Sequence, residues 1–78
     1  MARLLLLGPA REAAGRSRDT VEGATIKQVL EAAVERYGTH FSEVLATSQI
    51  WLNGEPADVA VGVGTQDEIA VLPPVSGG

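Results

Sequence analysis

Seventy-eight residues, 45% of them hydrophobic, with six Lys and Arg against ten Asp and Glu, make a small acidic chain of net charge −4 with no cysteine. That length suits one domain, residues 1–78, around one small core, and leaves little room for a deep enclosed active site. The lack of cysteine excludes metal-thiolate sites, thiol nucleophiles and disulfide scaffolds and fits a cytoplasmic protein, while the acidic balance argues against nucleic acid, whose backbone calls for clustered Lys and Arg.

Ala2 to Leu7 reads as a buried strand. Its run Leu4-Leu5-Leu6-Leu7 is far too short to span a bilayer and Gly8-Pro9 ends it, so neither a membrane segment nor a secretory signal is expected. Ala10 to Gly15, carrying Arg11 and Glu12, reads as an irregular loop, and about Ser17 to Val21 as a second strand closing a hairpin. Ile26, Val29, Leu30, Ala33, Val34 and Tyr37 then repeat at helical spacing and predict a helix over Ile26 to Tyr37 with one apolar stripe. Thr25 stands as its N-cap, Gln28 as capping-box partner and Gly38 as its stop. Phe41 to Ala46 predicts one further helical turn. Gln49 to Leu52 predicts a strand turning at Asn53-Gly54, with a short return near Pro56 to Asp58. Val59 to Asp67 reads as an irregular connection and Glu68 to Leu72 as the last strand.

This order predicts an α+β fold: a mixed sheet of about five strands with one main helix across a single face, the helix supplying the crossover between parallel first and last strands. With one face covered, parity along each strand sorts core from open face, and the charges set the phase. Arg3, Gln49 and Glu68 point outward, so Leu4, Leu6, Ile50, Leu52, Ile69 and Val71 belong to the core. Leu5, Leu7, Trp51, Ala70 and Leu72 then form an open apolar patch, the kind of surface that binds a partner.

No intrinsic active site is legible. His40 stands alone with no Ser or Cys motif beside it, and the acidic residues, Asp19 among them, show no spacing suited to acid–base work. Pro73 and Pro74 lack N–H donors and end any strand reaching Leu72, so Pro73, Pro74, Val75, Ser76, Gly77 and Gly78 are expected to project as a flexible tail. Gly-Gly alone also suits a frayed end; the Pro-Pro exit directly before it favours a working tail. Without Cβ atoms, Gly77 and Gly78 fit a channel little wider than a bare backbone and present an uncrowded carboxylate. Joined to AMP, that carboxylate becomes a mixed anhydride open to attack by sulfide, a persulfide or an amine. Sulfur attack leaves a thiocarboxylate.

Three pieces carry a family resemblance: the first strand with Ala10-Arg11-Glu12, the segment Trp51-Leu52-Asn53-Gly54, and the ending Asp67-Glu68-Ile69-Ala70-Val71-Leu72-Pro73-Pro74-Val75-Ser76-Gly77-Gly78. The chain resembles the ubiquitin-like β-grasp sulfur carriers of the MoaD/ThiS family, most of all the small subunits of molybdopterin synthase. The resemblance implies that Gly78 is adenylated by a ubiquitin-activating-type enzyme with ATP, converted to a thiocarboxylate and inserted with Gly77 into the large synthase subunit, where sulfur passes to cyclic pyranopterin monophosphate. It implies no cofactor or metal in this chain, the molybdenum belonging to the product. Leu72 departs from the Phe of many relatives. Carriers for thiamine, cysteine or transfer-RNA thiolation, and ubiquitin-like modifiers joined to lysines, remain as alternatives.

Overall fold

In the computed structural model, which describes residues 1–74, β1 (Ala2–Leu6) lies parallel to β5 (Glu68–Leu72) at the centre of a five-stranded sheet. β2 (Arg18–Val21) flanks β1, while β3 (Gln49–Leu52) and then β4 (Glu55–Pro56) flank β5, all antiparallel. The order is β2-β1-β5-β3-β4. Alternation along the central strands buries Ala2, Leu4, Leu6, Ile69 and Val71 on one face, against α2 (Ile26–Tyr37), which turns Ile26, Val29, Leu30 and Ala33 into the same core. Parity and helix period agree, so one apolar set from each element closes the core. Ile50 and Leu52 are half-buried at its margin.

The start of α2 is capped from two directions. Thr25 Oγ1 accepts from the Gln28 N–H at 3.2 Å, and Gln28 Oε1 reaches back to the N–H of Ala24, one residue before the expected capping-box partner. The connection between β4 and β5 lends carbonyls: Ile26 N–H donates to Val61 O at 3.0 Å and Lys27 N–H to Val59 O at 2.8 Å. Two helix-end donors that a short chain would otherwise leave to water are thereby satisfied by backbone far away in sequence. Gly23 makes this docking tight. Its φ is +146°, and a Cβ there would lie 2.6 Å from Val29 N and 2.8 Å from Val29 Cγ2. Gly23→Ala is therefore expected to destabilise the fold by about 2–4 kcal/mol, through backbone strain and overpacking together. Urea denaturation checks this, and a loss under about 0.5 kcal/mol, typical of an ordinary surface change, would refute it.

Three segments differ from the sequence expectation. Pro9–Ala14 is a helix, α1, not an irregular loop. Pro9 occupies a first-turn position where its missing N–H costs nothing, Gly15 closes the end in the left-handed region at φ 77°, and Ala10 is buried where α1 packs on the helix at Thr39–Ala46. α3 (Thr39–Ala46) is two turns long and drives Phe41 wholly into the core, its ring edge-on to Tyr37 with centroids 5.0 Å apart. The return strand pairs earlier than expected: the turn at Asn53 and Gly54, both at positive φ, places Glu55 opposite Leu52 and Pro56 opposite Trp51.

Asp19 on β2 is drawn into a side-chain network. Its side chain is 11% exposed and accepts from the Tyr37 hydroxyl, from Arg36 Nη1 at 2.8 Å and from the Thr20 N–H at 2.8 Å, with Arg16 3.5 Å away. Arg36 also donates to Thr20 O, so side chains occupy the outer edge of β2. Desolvation pushes the Asp19 carboxyl up, but the bonds from Tyr37, Arg36 and Thr20 outweigh it and hold the group below its ordinary 3.8. Burial, reinforced by the Asp19 carboxylate, pushes the Tyr37 hydroxyl up to about 12. A depressed carboxylate stabilises the fold above its unfolded pKa and loses that effect on acidification; a raised phenol stabilises below its unfolded pKa and loses it as pH climbs from 10.0 to about 12. The thermal midpoint of the wild type should accordingly exceed that of Asp19→Asn at neutral pH, with the gap closing below pH 3.8. A gap constant throughout acid titration would count against the network.

Candidate functional site

The uncovered sheet face is built in transverse rows. Register aligns Arg18, Leu5, Ala70, Trp51 and Pro56 across all five strands, with Thr20, Arg3 and Glu68 forming the neighbouring row. Beyond Leu5, the Leu7 N–H continues the ladder to Val71 O at 3.1 Å, and Gln49 pairs with Leu72. Leu5, Leu7, Trp51, Ala70 and Leu72 are all half-buried and line an open depression of ≈ 400 Å³ together with Gln49, Gly54, Glu68 and Pro73. The parity read from the charges is thus the parity found, since core and open face alternate along β1 and β5 without a bulge. Trp51 lies between Ala70 and Pro56, two small neighbours, and its Nε1–H donates to Gln49 Oε1 at 3.3 Å.

The β3–β4 turn is tied to the start of β5 by a side chain that sequence reading used only as a turn former. Asn53 Oδ1 accepts from Glu68 N–H at 2.9 Å, its own N–H donates to Glu68 O at 2.9 Å, and its Nδ2 donates to Asp67 Oδ1 at 3.0 Å. Asp67 Oδ2 in turn accepts from Gly64 N–H. The Asn53 bond first, then that from Gly64, holds the Asp67 carboxyl below its ordinary value. These bonds fix the turn that carries Trp51's strand against the strand that ends in the prolines.

At the far end of β5 the exposed Pro73 rests on the turn after β1. Gly8 stands at φ +57°, and a Cβ built there would touch the Pro73 ring, whose Cγ would be 3.4 Å away. The chain therefore leaves the sheet at the rim of the depression, beside Leu7 and Leu72. Pro74 is exposed, and Val75, Ser76, Gly77 and Gly78 lie outside the described residues. His40 is exposed on α3, with Nδ1 3.9 Å from Glu43 Oε1. Among the described residues, Glu68 is the one ionisable group lining the apolar depression. No helix among them is long and apolar enough to cross a membrane.

A mixed sheet with a helical crossover on one face and an open apolar face on the other defines the class: an α+β, ubiquitin-like β-grasp domain. The chain belongs to the ThiS family, whose model matches residues 4–78, and is a β-grasp sulfur carrier of the MoaD/ThiS type. Small archaeal modifier protein 1 of Haloferax volcanii is similar at 31% identity, with TM-score 0.79 over 99% of this chain and 98% of that one. The protein of the same description from Methanosarcina acetivorans matches at 25% identity and TM-score 0.87, over 99% of this chain and 95% of that one. The complex of subunits 1 and 2 of the molybdopterin-converting factor from Helicobacter pylori contains a chain of the same fold, at 24% identity and TM-score 0.72, over 99% of this chain and 97% of the other. No curated protein sequence matches it.

Proposed function

We propose that the chain is the sulfur-carrying small subunit of a molybdopterin synthase, working in the cytoplasm. The observation that carries this reading is the ending itself: Asp67-Glu68 opens the last strand, Pro73-Pro74 closes it, and Val75-Ser76-Gly77-Gly78 follows from the rim of the Trp51 depression. A ubiquitin-activating-type enzyme joins the Gly78 carboxylate to AMP from ATP, releasing pyrophosphate. Sulfide attacks the acyl carbon, AMP leaves and the thiocarboxylate results; where an enzyme persulfide attacks instead, a second thiol cleaves the S–S bond of the acyl disulfide, forming a disulfide with the enzyme sulfur and releasing the thiocarboxylate. The large synthase subunit then binds the open face through Leu5, Leu7, Trp51, Leu72, Pro73 and Pro74 while the tail, with Val75, Ser76 and Gly77, enters its pocket. Holding the thiocarboxylate beside the reacting carbon of cyclic pyranopterin monophosphate supplies much of the rate. The chain itself holds no cofactor.

The test is reconstitution. Thiocarboxylated chain, the cognate large subunit and cyclic pyranopterin monophosphate should yield the dithiolene product, and a competent large subunit that forms none with this carrier would reject the pathway. Replacing Trp51 by Ala should weaken binding of the large subunit by roughly tenfold to a hundredfold, as for a central interface aromatic, with a smaller effect on folding. Unchanged affinity with a collapsed fold would assign Trp51 to the core instead. A second reading, a protein modifier joined through Gly78 to lysines, draws support from the 31% identity to a small archaeal modifier protein. Isopeptide linkage of Gly78 to many cellular proteins would favour it. Sulfur transfer into thiamine, cysteine or transfer RNA would leave the carrier chemistry intact and change only the acceptor.

A further inference from the structure

The open face is not only apolar. Its charged side chains on the paired strands are Arg3, Arg18 and Glu68, a net positive set on a chain whose total is −4. The acidic groups gather elsewhere: Glu22, Glu31 and Glu35 line one depression along α2 on the helix side. Arg3, Arg18 and Glu68 edge a groove of ≈ 320 Å³ that also includes Leu4, Asp19 and Thr20. Glu68 borders both this groove and the Trp51 depression, so the two adjoin at that side chain.

The two guanidinium groups are only lightly engaged. Arg18 Nη1 stands 4.0 Å from Glu68 Oε2 with its side chain 77% exposed, an ion pair of small energetic weight. Arg3 Nη2 donates to Gln66 O at 2.9 Å, which leaves most of its five N–H donors unspent. Asp19, the other carboxylate in the groove, is already held by Arg36 and Tyr37. Planar donors beside an apolar depression match a carboxylate set beside an apolar side chain.

We propose that this face selects a protein partner with an acidic rim: an apolar side chain fills the depression at Trp51 while one or two carboxylates of the same partner pair with Arg3 and Arg18. The proposal rests on the docking role given above to the Trp51 face and adds the chemistry of what docks. Such an arrangement gives the encounter a salt-dependent rate and turns the molecule sheet-first toward the partner, since its helix side repels acidic surfaces.

Two probes separate this from the pathway assignment. On the isotopically labelled chain alone, the synthetic peptide Asp-Glu-Phe-Asp-Glu should move the Nε–H signals of Arg3 and Arg18 and the Trp51 Nε1–H signal, with the effect fading as salt rises. With the cognate large subunit, Arg3→Glu/Arg18→Glu should lower affinity by roughly a hundredfold and flatten its salt dependence, whereas Lys27→Glu, on the helix side, should change it little. Arg18→Gln, which removes one charge without reversing it, should fall between. Peptide shifts absent or centred on α2, or equal affinity for the double variant, would overturn the proposal. Stronger shifts of the same signals by single-stranded RNA would overturn the assignment to a protein partner. Peptide shifts at Arg3, Arg18 and Trp51 without any binding of the large subunit would uphold the surface and reject the synthase as its occupant.

Discussion

Removing Gly77 and Gly78 should abolish sulfur transfer and leave the thermal unfolding transition where it was. Among the described residues the last fully buried side chain is Val71, and the polypeptide after Leu72 is exposed at Pro73 and Pro74. Within those described residues, α2, α3 and the sheet already close one core on one another, and a change outside such a core stays within about 0.5 kcal/mol of wild type. Activity is another matter, because truncation moves the only carboxylate proposed to react two residues back toward the prolines and places the side chain of Ser76 at the end. Melting curves and transfer assays on the same preparation check both halves. A truncated chain that melts far below wild type would tie the tail to the fold, and one that still transfers sulfur would remove Gly78 from the chemistry.

The opposite pattern is expected at Phe41. The ring is 0% exposed and packs edge-on against Tyr37, which itself braces Asp19 on β2. Phe41→Ala removes the bulk at the seam of α2, α3 and the sheet and should cost about 3–5 kcal/mol. A domain of this size has little more than that to lose, so much of the variant should be unfolded at ambient temperature. Urea denaturation or amide exchange measures the effect. A loss below about 1 kcal/mol would mean that the helices close over the gap.

The contrast between these two positions explains what the sequence disclosed. Periodic segments were legible because periodicity and burial have the same cause: Ile26 to Tyr37, Gln49 to Leu52 and Glu68 to Leu72 begin and end where their patterns do. The open face was legible for the same reason, as Arg3 and Glu68 fixed the phase of two strands that carry no bulge. What escaped is what depends on distant partners. α1 is six residues long, too short for a period to develop, and Gly8-Pro9 reads equally as a break or as a helix start; Pro9 at the first turn and Gly15 after Ala14 were the available signal. Nothing near Asp19 in sequence announces Arg36 and Tyr37, nor does anything near Val59 and Val61 announce the N–H groups of Lys27 and Ile26. Asn53 was legible as a turn residue but not as the clamp on Glu68 and Asp67. The reactive end, Gly77-Gly78, was read from residue chemistry and family resemblance, and it lies outside the described residues.

Intact-mass spectrometry after incubation with ATP, the cognate activating enzyme and a sulfur donor bears most directly on the carrier function. The mass should rise by the difference between one sulfur and one oxygen atom, and the gain should map to Gly78 and vanish when ATP is withheld. An unchanged mass in the presence of a demonstrably competent enzyme and donor would contradict the thiocarboxylate chemistry assigned to this chain.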